Sequence, residues 1–210
     1  MPSYTLKYFN VRGYGEVSRQ LFALSGTKFI DVRYEDDDWD NNPQYKNETP
    51  FGQVPLLLVD GKPIPQSFAI ARYLAKEFGY AGKSNFDAAW FGYAGKSNFD
   101  AAWVDALADQ YKDYLGEVRP YIKHLQGEGK GDKEESRNTV GEPARDKYFG
   151  IIEKRLKESS SGFLVGDSVT WIDLIISEHV AILNEYAPAE WLKGFPKALE
   201  HSKKVRSIPK

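Results

Sequence analysis

Gln66-Ser67 stands directly ahead of FAIARYL (68–74), whose apolar side chains recur at helical spacing. Ser67 therefore reads as a helix N-cap. A helix start is also an anion site, because its first amides point outward and its dipole favours negative charge. Tyr8 closes an aromatic, β-favouring run, YTLKYF (4–9), and by pattern alone is a core aromatic carrying a phenol. The chain has no cysteine, which excludes disulfides, thiolate nucleophiles and zinc–thiolate sites. His124, His179 and His201 are scattered without ligand spacing and read as structural or exposed. The acidic run Glu35–Asp38 reads as a solvated loop. Asp109, in VDALAD (104–109), reads by pattern as a solvated helix position.

The elements that must position these groups change in kind along the chain. Tyr4 to Phe9 predicts a strand. Residues 15–25 predict a helix, with Val17, Leu21 and Leu24 on one face and Gly26 as its stop. Phe29 to Tyr34 predicts a second strand, and Glu35 to Asn42 a loop. Val54 to Val59 is a continuous apolar run, as in a strand buried on both faces. Asp60-Gly61 predicts a hairpin turn, and Lys62 to Pro65 an edge strand that tolerates its prolines. The helix from Ser67 carries Ile70, Tyr73 and Leu74 and ends at Gly79.

Beyond residue 103 the pattern is helical. Val104, Leu107, Tyr111, Leu115, Val118, Ile122 and Leu125 step along one long helix. Pro120 sits inside it, with Gly116 leaving room for a kink. GEGKGDK (127–133) is a loop. Pro143 starts a helix with Tyr148, Ile151, Ile152 and Leu156 expected inward, and SSSG (159–162) breaks it. Thr170 and Asp173 have capping-box spacing, and the largely apolar helix they open should lie at the centre of its domain. Between the two regions FGYAGKSNFDAAW occurs twice in succession, at 78–90 and 91–103, without a substitution. One copy suffices as a linker. The surplus, roughly residues 84–96, is expected as an extruded loop or a frayed turn of helix carrying Phe86, Trp90, Phe91 and Tyr93. The expected organisation is residues 1–79, a linker at 80–103, and a helical domain at 104–210.

Apolar residues make up 41% and charged residues 28%, an ordinary globular balance with enough apolar material for a core. A net charge of −2 offers no basic field for nucleic acid or acidic lipid. No apolar run is long enough for a membrane span, and MPSYTLKYFN lacks signal-peptide character. A cytoplasmic location is expected.

The order β-α-β, loop, β-β-α is that of a thioredoxin-like α/β domain, here followed by an all-α helical bundle. YFNVRG (8–13), TPFGQVP (49–55), QSFAIARYL (66–74) and GDSVTWIDL (166–174) together resemble the cytosolic glutathione transferases. The chain is most similar to the sigma-type branch, which includes nematode enzymes and glutathione-dependent prostaglandin D synthase. The resemblance spans nearly the whole chain apart from the extra repeat copy.

It implies that glutathione is the co-substrate and that Tyr8 is the catalytic tyrosine. A free thiol of pKa ~8.5 is only a few per cent thiolate at neutral pH. A phenol hydrogen bond to sulfur favours the anion. In the family the Val54-Pro55 bond is cis, and Gly52, Gln53, Val54 and Pro55 form the loop that offers backbone to the cysteinyl unit. Gln66 and Ser67 match the γ-glutamyl contacts. Trp39 and Lys46 match contacts to the glycyl end, across a loop longer than the family's. Asp109 matches a carboxylate that reaches the other subunit of a homodimer. Tyr111, Tyr114 and Leu115 are expected to line an apolar pocket for electrophiles. Peroxidase or prostaglandin isomerase chemistry is a further expectation. A crystallin-like relative and a carrier of haem or other apolar ligands are the non-catalytic alternatives. One departure bears on activation: several sigma-type members carry an arginine near the catalytic hydroxyl where this chain has Tyr14. At the other end KVRSIP (204–209) resembles the start of the family's last segment.

Overall fold

Alternation of buried and half-buried side chains makes Tyr4–Phe9 a strand, β1, with Tyr4, Leu6 and Tyr8 pointing inward. A computed structural model describes residues 2–81 and 98–209. They fall into two compact units, Met1–Ala81 with Pro209–Lys210, and Gly82–Ile208.

In the first unit, β1 is followed by a 3₁₀ turn, Gly13–Gly15, and helix α1, Glu16–Ser25. Strand β2, Ile30–Tyr34, runs parallel to β1. Strand β3, Leu56–Val59, runs antiparallel to β1, and β4, Lys62–Pro65, antiparallel to β3. The sheet order is β2-β1-β3-β4. The central strands carry the fully buried Leu6, Leu56 and Leu57, and the proline-bearing β4 stands at the edge. The β3–β4 turn has positive φ at both Asp60 (48°) and Gly61 (78°), which matches the twist of a tight hairpin. Helix α1 packs against α4, Ser67–Phe78. Phe22 of α1 stacks on Phe29 at 4.2 Å and meets Tyr4 and Phe78 edge-on. Gly79 closes α4 at φ 83°, the left-handed cap that glycine accepts without strain.

The expected loop at Glu35–Asn42 is instead helical. Asp36–Asn41 forms α2 and Pro43–Asn47 forms α3. Local composition misled because the decisive interaction is aromatic: Trp39 is buried against Phe9 (5.7 Å) and Tyr34 (5.3 Å). Burying an indole stabilises a turn that its acidic neighbours would leave in solvent.

The second unit is helical: α5 (Asn98–Leu125), α6 (Lys133–Ser136), α7 (Glu142–Glu158), α8 (Trp171–Tyr186) and α9 (Pro196–Arg206), with a π-helical turn at Arg137–Gly141. Pro120 lies within α5, and Pro143 occupies the first turn of α7. The core runs through α8, buried from Trp171 to Val180. Both halves of the Thr170–Asp173 capping box are present. Asp173 does more than cap: it also accepts from the amide of Leu164 (2.8 Å) and pairs with Nε2 of His201 (2.8 Å). Glu153 accepts from the amides of Lys197 (2.9 Å) and Ala198 (3.2 Å), so a buried carboxylate from α7 caps α9.

One inward assignment changes. Ile151 of α7 is 39% exposed, whereas Tyr148, Ile152 and Leu156 are buried. Tyr114 is buried in the bundle core, where it stacks on Tyr148 at 4.5 Å and hydrogen-bonds Nε2 of His179 at 3.2 Å. Tyr111 is buried beside them and Leu115 is half-buried. The surplus repeat at 84–96 lies outside the described residues. Its flanks are described: α4 ends in copy one, and α5 opens at Asn98 in copy two.

Candidate active site

Strand register brings the first unit's candidate residues to one end of the sheet. The β1–β3 ladder ends at Lys7 opposite Leu56, so Tyr8 and the Val54-Pro55 bond both lie just past it. Leu56 also faces Pro65, so Gln66 and Ser67 leave β4 at that same end. Parallel β2 pairs Phe9 with Tyr34, which sends the chain toward Trp39 from this end as well.

Tyr8 is buried, and its hydroxyl accepts a hydrogen bond from the amide of Tyr14 at 3.1 Å. That amide belongs to the 3₁₀ turn leading into α1. The turn fits closely around the phenol. A Cβ on Gly13, where φ is +37°, would stand 2.7 Å from Oη of Tyr8. A Cβ on Gly15 would stand 2.5 Å from its Cδ1. Both glycines are needed for the turn to reach the hydroxyl.

Sequence reasoning missed Arg19. It is buried on α1, with Cζ 5.8 Å from the Tyr8 ring centroid. Its Nη1 donates to the carbonyl of Val11 (2.7 Å) and its Nη2 to that of Phe9 (3.2 Å). Its Nε pairs with Asp31 at 3.1 Å, and Glu16 lies 3.4 Å from Nη1. Periodicity gave no signal for it, since its partners come from three other segments.

The Val54-Pro55 bond is cis, as the resemblance implies. Gly52, at φ 64°, and Gln53 are exposed, Val54 is half-buried and Pro55 buried. Ser67 is not the N-cap. It is the first residue of α4, and Gln66 holds the cap position at φ 74°, ψ 120° with no side-chain cap hydrogen bond. A glutamine at positive φ is uncommon, and such conformations gather at functional sites. The first bond of the helix ladder runs from the Ile70 amide to the Gln66 carbonyl at 2.9 Å. The preceding amides are those a helix start offers to an anion. Lys46 is half-exposed, and its ammonium pairs with Asp40 at 3.2 Å. Asp109 lies on an exposed face of α5 in the second unit. Among the described residues no group of three or more histidine, aspartate or glutamate side chains is placed to hold a metal ion, and no helix is long and apolar enough to cross a membrane.

Residues 4–76 match the glutathione S-transferase N-terminal domain, and residues 118–210 match the C-terminal domain. A probable glutathione S-transferase 9 of Caenorhabditis elegans is 45% identical over all of this chain and 93% of its own length. The chain belongs to the glutathione S-transferase family.

Solved structures agree. A monomeric glutathione S-transferase from the hookworm Necator americanus is 45% identical and superposes with a TM-score of 0.85 over 99% of this chain and 93% of that one. The prostaglandin synthase D of Nilaparvata lugens is 26% identical, with a TM-score of 0.79 over 99% and 94%. A thioredoxin-like unit followed by a helical unit is the fold of this transferase family. As a glutathione S-transferase, the protein is an enzyme whose co-substrate is glutathione.

Proposed function

We propose that Tyr8 ionises the thiol of bound glutathione, which then attacks apolar electrophiles. The observation that carries this reading is the 3.1 Å bond from the Tyr14 amide to the Tyr8 hydroxyl, at the sheet end shared with Val54-Pro55 and Gln66-Ser67. A phenol both donates and accepts. With the amide donating to its oxygen, the Tyr8 proton is oriented by a fixed turn and its oxygen carries less negative charge. Both effects favour donation to a thiolate. Lowering a thiol pKa by about two units requires about 2.7 kcal/mol, within reach of one charge-assisted hydrogen bond and nearby dipoles.

In this reading the backbone of Gly52, Gln53, Val54 and Pro55 receives the cysteinyl unit. Gln66, Ser67 and the first amides of α4 receive the γ-glutamyl carboxylate. Trp39 and Lys46 receive the glycyl end, with Lys46 exchanging Asp40 for the ligand carboxylate. The exposed Asp109 reaches the glutathione site of a second subunit in a homodimer, and the enzyme is of sigma type and cytoplasmic. Light scattering tests the dimer directly, since the Necator relative is monomeric. Electrophiles include peroxides and prostaglandin endoperoxide, the latter suggested by the Nilaparvata relative.

The test is Tyr8→Phe. Titrating bound glutathione by thiolate absorbance should show a thiol pKa higher by about two units, with conjugation at neutral pH down ten- to a hundredfold. The same thiol pKa in both proteins would rule Tyr8 out.

A further inference from the structure

We propose that Arg19 is a positioning residue for Tyr8, clamping the chain between β1 and the 3₁₀ turn so that the Tyr14 amide meets the catalytic hydroxyl. The inference rests on the reading of Tyr8 given above.

The segment in question runs from Phe9 to Arg12 and has to turn sharply between the strand that carries the phenol and the turn that carries the amide. One guanidinium holds it at two points, the carbonyls of Phe9 and Val11, with donors 3.2 and 2.7 Å away. Those carbonyls flank the bend, one directly after Tyr8 and the other two residues before Gly13. Arg19 in turn is fixed by Asp31 at the parallel neighbour strand. The clamp therefore ties α1, β1 and β2 together behind the hydroxyl.

The alternative is that the guanidinium acts through its charge, lying 5.8 Å from the ring. The surroundings oppose this. Glu16 and Asp31 both pair with Arg19, and Asp31 also pairs with Arg33 at 2.8 Å. Two carboxylates against two guanidiniums leave this cluster without net charge. What remains is geometry, which a planar fork supplies and an ammonium does not.

This predicts that charge conservation fails to conserve function. In the full-length protein, Arg19→Lys should raise the bound thiol's pKa by about one unit and lower kcat/KM near pH 6.5 about tenfold. The KM for glutathione should change less than about twofold, because Gln66, Ser67 and Val54 are untouched. Asp31→Asn removes the ion pair that holds the fork and should lower the melting temperature and raise the thiol pKa by less than Arg19→Lys does. A wild-type thiol pKa in Arg19→Lys overturns the proposal. If that variant does not fold, Asp31→Asn still decides: a raised thiol pKa supports the clamp, and an unchanged or lowered one overturns it. Tyr8→Phe separates the two levels. If it raises the thiol pKa and Arg19→Lys does not, only the clamp fails. If it leaves the thiol pKa unchanged, the reading of Tyr8 fails and the clamp with it.

Discussion

The amide of Tyr14 donates to the hydroxyl of Tyr8 at 3.1 Å. Position 14 is where the sigma-type pattern often has an arginine and this chain has a tyrosine. The structure assigns the contact to the backbone, and the Tyr14 side chain is 56% exposed. Tyr14→Ala should therefore leave the thiol pKa of bound glutathione within about 0.3 units of wild type. Tyr14→Pro, which deletes the amide proton, should raise it and reduce turnover about two- to tenfold. The same shift in both variants would mean that the side chain, not the amide, matters.

Ser67 begins α4 without capping it. Ser67→Ala should weaken glutathione binding by about 1–3 kcal/mol, the loss of a hydrogen bond to a charged group. Because no cap hydrogen bond is removed, thermal stability without ligand should fall by less than about 0.5 kcal/mol. Calorimetric titration measures the first and denaturant unfolding the second. A large stability loss with unchanged affinity would reverse the assignment.

His179 is buried in the helical unit, and burial pushes its pKa down to about 3. Burial also raises the pKa of Tyr114 well above the usual phenol range, so the hydroxyl facing Nε2 of His179 stays protonated. The folded imidazole is then neutral where an unfolded one, with a pKa near 6.5, takes up a proton. Between about pH 3 and pH 6.5 the unfolded state binds more protons, so this group makes stability rise with pH. Its contribution is complete above pH 6.5 and is lost as pH falls through that window, by about 2 kcal/mol at pH 5. His179→Gln should be less stable at pH 7 yet lose about 2 kcal/mol less than wild type on going to pH 5. Parallel losses in urea unfolding would remove His179 as the cause.

The repeat offers a fourth test. Removing 78–90 or 91–103 gives the same shortened sequence, because the copies are identical. That sequence keeps an α4 ending in Phe78 with Gly79 as its cap and an α5 opening at Asn98. Lengthening a connection costs only about 0.6 kcal/mol per doubling, so neither length threatens the fold. The shortened protein should bind glutathione with the same affinity and precipitate less. Loss of binding would show that the second copy has a function.

Where local patterns carry their own physics, the sequence was sufficient. Apolar alternation specifies β1, Asp60-Gly61 supplies positive φ for a hairpin, and Thr170 with Asp173 closes a capping box three residues apart. All of these depend on neighbours within one or two turns of chain. Tyr8, Val54-Pro55 and Gln66-Ser67 stand out for another reason: their motifs match a family, and no local pattern singles them out. Tertiary structure decided what depends on distant partners. Glu35–Asn42 reads as solvated until Phe9 and Tyr34 bury Trp39 and make it helical. Tyr114 lies at core spacing either way, and only His179 and Tyr148 place it inside the bundle. Ser67 looks like a cap because its residue type suits one, yet the β4 register puts Gln66 there at positive φ. Arg19 looks like any charged helix residue until Phe9, Val11 and Asp31 converge on it, because a buried charge is tolerable only where folding supplies its partners.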